Sequence, residues 1–129
     1  MLVKLGTLVK SRQTLIKLNI TEGFDSVTAY RILKNARVID DELKMYDKQQ
    51  AKLIHMYCER DSKGTPVVKN GYYTIKDENR SKYEKEVHDL FNEDVEINIH
   101  KIDINLISKA GLSPAQLELI EFMLIEDWL

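Results

Sequence analysis

At 129 residues the chain fits one domain, since domains run ~100–150 residues and bury roughly two-thirds of the unfolded surface at that size. It is 43% hydrophobic and 31% charged with only 5 Gly and 2 Pro, which excludes a disordered or fibrous chain and fits a helix-rich globular one. Against 21 acidic residues stand 19 basic ones, so the net charge of −2 creates no field favouring nucleic acid or an anionic membrane.

The charge is unevenly placed. Residues 1–20 hold Lys4, Lys10, Arg12 and Lys17 with no acid, while residues 113–129 hold Glu118, Glu121, Glu126 and Asp127 with no base. Opposite patches on two amphipathic segments lead us to expect the two ends side by side, within one fold or across a dimer. In the opening stretch Leu2, Leu5, Leu8, Val9, Leu15 and Ile16 recur at helical spacing, which predicts an amphipathic helix weakened at Gly6 by up to ~1 kcal/mol. A turn follows at Thr21-Glu22-Gly23, with Asp25 or Ser26 placed to cap the next helix.

That next helix carries the strongest pattern in the chain. Ile32, Ala36, Ile39, Leu43, Tyr46, Gln50, Leu53 and Tyr57 alternate four and three apart, a heptad seam, and Leu33, Val38, Ile54 and Met56 widen it. A helix from Ser26 to Arg60 would be about 50 Å long, more than the first helix can cover. The expectation is therefore self-association, with the seam as the interface.

Gly64 and Pro66 stop the helix and the period changes. Val67-Val68-Lys69 and Tyr72-Tyr73-Thr74-Ile75 flank Asn70-Gly71, the dipeptide best suited to a type I′ hairpin. Residues 79–92 return to helical spacing with Tyr83, Val87, Leu90 and Phe91 on one side. Val95, Ile97 and Ile99 then alternate as a strand, and Ile102, Ile104 and Leu106 resume out of phase, which calls for a bulge or bend near His100-Lys101. Ser113-Pro114-Ala115-Gln116 reads as a capping box opening a last helix with Leu117, Ile120, Met123, Leu124 and Trp128.

Taken together these elements predict one α+β domain over 1–129. A long antiparallel helical hairpin (1–60) precedes a β-hairpin, helix, strand and C-terminal helix (65–129), with a small antiparallel sheet formed by the 67–76 hairpin and the 95–106 strand.

The chemistry-bearing residues are sparse. His55 and Cys58 lie three apart on one helix face, but two ligands do not make a zinc site, and His88 and His100 fall in other elements. A single cysteine forbids an internal disulfide and suggests a reducing compartment. Adjacent carboxylates in Asp40-Asp41-Glu42, Asp77-Glu78 and Glu93-Asp94 would point ~100° apart on a helix and cannot converge on one atom. Glu84 and His88 are spaced for a surface pair. Tyr72 and Tyr73 near Lys69 and Lys76 suggest a stacking platform for single-stranded nucleic acid, but strand alternation should turn one of them to the core. No phosphate-binding glycine loop, nucleophile elbow or metalloprotease motif is present. Neither a catalytic residue nor a cofactor or metal site is expected.

The order of a basic first helix, a long helix ending in Lys52-Leu53-Ile54-His55-Met56-Tyr57, the turn Asp61-Ser62-Lys63-Gly64-Thr65-Pro66-Val67, then Asn70-Gly71-Tyr72-Tyr73-Thr74-Ile75-Lys76-Asp77 and an Ile-rich strand resembles one known group. That group is an uncharacterised family of small proteins encoded by phages and prophages of low-GC Gram-positive bacteria, and the likeness spans nearly the whole chain. It implies a phage protein in the host cytoplasm or associated with the virion, and it carries no functional residues across. The expected function is non-enzymatic: a virion or assembly accessory acting through contacts with itself and with a phage or host protein. The expected interface is Ile32, Ile39, Leu43, Tyr46, Leu53, Tyr57, Leu117, Ile120, Leu124 and Trp128. The alternative is an inhibitor of a host antiviral defence that blocks an effector protein or sequesters a small signalling ligand.

Overall fold

The chain enters the fold as a strand, not as the expected helical turn. In the computed structural model, which describes residues 1–125, β1 (Leu2–Lys4) runs directly into α1 (Leu5–Ile20). β1 pairs antiparallel with β4 (Asp94–Glu96) in the register Leu2 to Glu96, Val3 to Val95 and Lys4 to Asp94. Val3 faces the core, and Lys4 Nζ meets Asp94 Oδ1 on the outer face at 2.7 Å.

α1 is surrounded. Its buried residues Leu5, Leu8, Ser11, Thr14, Leu15 and Leu18 recur at helical spacing, and the helix packs against α2 (Ser26–Tyr57), α3 (Arg80–Phe91) and α4 (Pro114–Leu119). Ser11 lies at the centre of this contact without an orphan hydroxyl, because its Oγ donates to Leu8 O within the same helix at 2.7 Å. Gly6 has a reason beyond propensity: a Cβ there would lie 3.0 Å from the Phe91 side chain, so the glycine lets α3 approach closely.

α2 forms the long arm of the predicted antiparallel helical hairpin. Asp25 caps it, accepting from the Thr28 hydroxyl at 2.6 Å and the Thr28 N–H at 3.1 Å. At 32 residues it is about 48 Å long, and its buried residues Ile32, Asn35, Ile39, Leu43, Tyr46 and Leu53 follow the seam. Asn35 is wholly buried and clamps backbone: its Nδ2 donates to His100 O at 2.9 Å, and its Oδ1 accepts from His100 N–H at 2.8 Å. The side chain thus acts as the strand partner of residue 100, at the point where a bend was expected.

The Asn-Gly hairpin forms as the sequence predicts, β2 (Val68–Lys69) with β3 (Tyr72–Tyr73), and both turn residues have positive φ, 53° at Asn70 and 81° at Gly71. Its partner is not the 95–106 strand. It packs on the end of α2, through Cys58 paired with Ile75 and Arg60 with Pro66, so the described residues form two separate two-stranded sheets.

After β4, Ile97 is buried but residues 102–106 do not continue a strand. Ile102 makes one parallel bridge to Leu124, and Ile104–Ala110 is a 3-10 helix. Asp103 starts it by accepting from Asn105 N–H at 2.9 Å, and Gly111 ends it in the left-handed conformation at φ 62°. Local capping outweighs the alternation. The Ser113 capping box and Pro114 start α4 as expected, but α4 stops after six residues and a 3-10 turn, Glu121–Met123, brings Ile120, Met123 and Leu124 into the core.

Candidate interaction surfaces

The residues expected to form an interface are mostly spent inside the chain. Ile32, Ile39, Leu43, Tyr46, Leu53, Ile120 and Leu124 are all buried in the single chain, so they hold the fold together and cannot meet a second copy. Most of the seam is covered, by α1 over its first half and by α3 beyond it, where Tyr46 meets the Phe91 ring at 5.9 Å, while Ala36 and Gln50 are half-buried. Tyr57 is half-buried against Tyr83 at 6.4 Å. A hydrogen bond to the Glu86 carboxylate raises its phenol pKa, while Glu86 Oε2 is buried without a hydrogen-bond partner. Leu117 is half-buried, and Trp128 lies outside the described residues.

The two charged ends are neighbours, since α1 packs on α4, but their ion pairs are made elsewhere. Among the described residues Lys4 pairs with Asp94 and Arg12 with Asp47 at 3.0 Å, while Glu118 and Glu121 enter no ion pair with α1.

The remaining polar candidates are structural or dispersed. Cys58 is buried with Sγ 3.7 Å from His55 O, and the His55 ring packs on Tyr73 at 5.4 Å, so this pair joins the hairpin to the helix end. Among the described residues no three His, Cys, Asp or Glu side chains are grouped as a metal ion requires. His88 meets Asn92, whose Nδ2 lies 3.0 Å from its Nε2, and not Glu84. Neither Tyr72 nor Tyr73 turns to the core as alternation required, because the hairpin lies on a helix end; Tyr72 is 77% exposed. Among the described residues no helix is long and apolar enough to cross a membrane.

Open grooves remain among the described residues, and two of them have an apolar floor. One lies between α2, α3 and β4, with Met45, Tyr46, Leu90 and Val95 on its floor and Glu42, Glu93, Asp94 and Glu96 along it. The other, of about 300 Å³, lies between α1 and α2. Leu15, Ile16, Leu33, Ala36, Ile39 and Leu43 form its floor, and Arg12, Asn19, Arg37 and Asp40 its rim. Ile16 and Leu33 are about half exposed there, and Ile20, Val27 and Tyr30 stand exposed on the same two helix segments. These segments, 9–20 and 26–37, carry Lys10, Arg12, Lys17, Arg31, Lys34 and Arg37 and no acid. Sequence periodicity had assigned Ile16 and Leu33 to the stripe and its flank; their exposure depends on how far apart the two helices lie, which spacing alone does not encode.

Comparisons with family models, with curated proteins and with solved structures gave no match.

Proposed function

We propose that this chain is a phage-encoded, non-enzymatic protein that works by docking another protein onto the paired helices α1 and α2. The observation that carries the reading is the pair Ile16 and Leu33, two large apolar side chains about half exposed on the floor of the groove between α1 and α2, while Leu15, Ile39 and Leu43 beneath them are buried. Exposed apolar surface concentrated in this way marks contact sites, and chemistry would instead need polar groups converging in an enclosed cavity. The phage origin rests on the order of sequence motifs described above. Self-association through the heptad seam is not part of the proposal, because those side chains are already buried.

A photoactivatable cross-linker placed at residue 33 in infected cells tests it, with residue 48, on an exposed part of α2 outside the groove, as the control. A discrete protein adduct at 33 and not at 48 supports the reading, and equal or absent adducts at both sink it. Recovery of that partner from purified virions would identify a structural or assembly role; recovery only early in infection, with a host protein as the adduct, would identify a defence inhibitor.

A further inference from the structure

We infer that the α1–α2 groove takes an amphipathic helix whose apolar ridge is flanked by carboxylates. The inference rests on the docking role proposed above and adds the chemistry of the partner. Three properties of the groove lead to it. Its walls are two antiparallel helices whose backbone hydrogen bonds are made internally, so it offers no edge for an extended strand to pair with, and a strand laid there would leave its own amides unmet. A helix satisfies its own backbone and needs only a ridge of side chains at i, i+3, i+4 and i+7, which the floor of Ile16, Leu33 and Ala36 can receive.

Charge then selects among helices. Arg12 and Arg37 stand on the rim, whereas Arg31 and Lys34 lie on other faces of α2. Arg12 Nη2 reaches Asp47 at 3.0 Å. Arg37 makes no ion pair among the described residues, and the one rim acid, Asp40, is held by Lys44 at 3.4 Å. A symmetric contact with a second copy through this face would set like charges against each other, so the face is built for a different molecule. A bilayer is a poor fit to a concave groove, and a nucleic acid has no ridge of aliphatic side chains to fill the floor.

The test is selection of 18-residue helical peptides from a displayed random library on the intact protein, with counter-screens on I16D/L33D and R37E. Expected are peptides with an apolar ridge flanked by Asp and Glu. They should lose about tenfold or more in affinity on either variant, and weaken as salt rises from about 0.05 to 0.5 M. Neutral or basic helices that are lost on I16D/L33D would overturn the partner chemistry and leave the docking role standing. Peptides that bind both variants as well as the wild type, or no enrichment at all, would overturn both. Co-sedimentation with phosphatidylglycerol vesicles, abolished in R37E, would overturn the helical partner in favour of a lipid surface. Thermal melting checks each variant for folding; should I16D/L33D fail to fold, R37E, altered only at an exposed arginine, decides the outcome.

Discussion

Asn35 does the work of a whole strand with one side chain. Its amide donates to and accepts from His100, at 2.9 and 2.8 Å, from a fully buried position on α2. Replacement by Ala removes both bonds and leaves the part-buried His100 N–H and C=O without these partners, so Asn35→Ala should cost about 1–3 kcal/mol in urea unfolding. Asn35→Asp should be no better, because a carboxylate accepts from the His100 N–H but faces its carbonyl oxygen. A near-wild-type midpoint for either would show that residue 100 finds other partners. Asp25 gives the pH-dependent counterpart. Hydrogen bonds from the Thr28 hydroxyl and then from the Thr28 N–H hold its carboxyl below the usual carboxylate range. A folded pKa below the unfolded one means the stabilisation is present above about pH 4 and lost as pH falls through the depressed value. Asp25→Ala should therefore lower the melting temperature at pH 7 and have less effect at pH 2, and an equal loss at both would refute the capping role.

At the scale of elements, what was legible was what is local. The Asn70-Gly71 turn, the Ser113 capping box and the α2 seam each declare themselves within a few residues, and all three form. β1 was read as helix because three residues fit either period and its partner lies some 90 positions away. The 102–106 run was read as strand because its Ile and Leu alternate, whereas Asp103 and Gly111 bracket a 3-10 helix. The α1–α2 groove was only half legible: the seam was visible, but a one-dimensional pattern does not say which neighbour covers it, so buried residues were taken for an interface. Gly6 was read as a weakness in α1 and is instead the contact point with Phe91. Gly6→Ala should gain helix propensity of up to ~1 kcal/mol and still lose about 1–3 kcal/mol overall, since the new Cβ meets Phe91 at 3.0 Å. Phe91→Leu in the same background should recover part of the loss; stabilisation by Gly6→Ala alone would show that α3 shifts freely.

At the scale of the whole molecule α1 is the hub, meeting α2, α3 and α4 while its Ile16 and Ile20 face stays open. The C-terminal segment contributes Ile120, Met123 and Leu124 to that core, and Met123 O and Ile125 N bracket Ile102 through backbone bonds of 2.9 and 3.0 Å. Deleting residues 114–129 should thus uncover α1 and give an aggregating or molten product, read by light scattering and loss of a cooperative melt. A soluble truncation with unchanged melting would mean the segment is an ornament on a core complete without it. The pairing of β1 with β4 has a further consequence for synthesis on the ribosome. Residue 2 waits for residue 96, a gap that takes roughly 5–20 s to translate, while α1 and α2 are already free to pair. Through that interval Leu5 and Leu8 lack β4 and the C-terminal segment, and for most of it α3 as well, and the unpaired strand edge of Val3 is open. The nascent chain is therefore most vulnerable to chaperone capture or misassociation in mid-translation, and it becomes safe only when the last third of the sequence closes over the first.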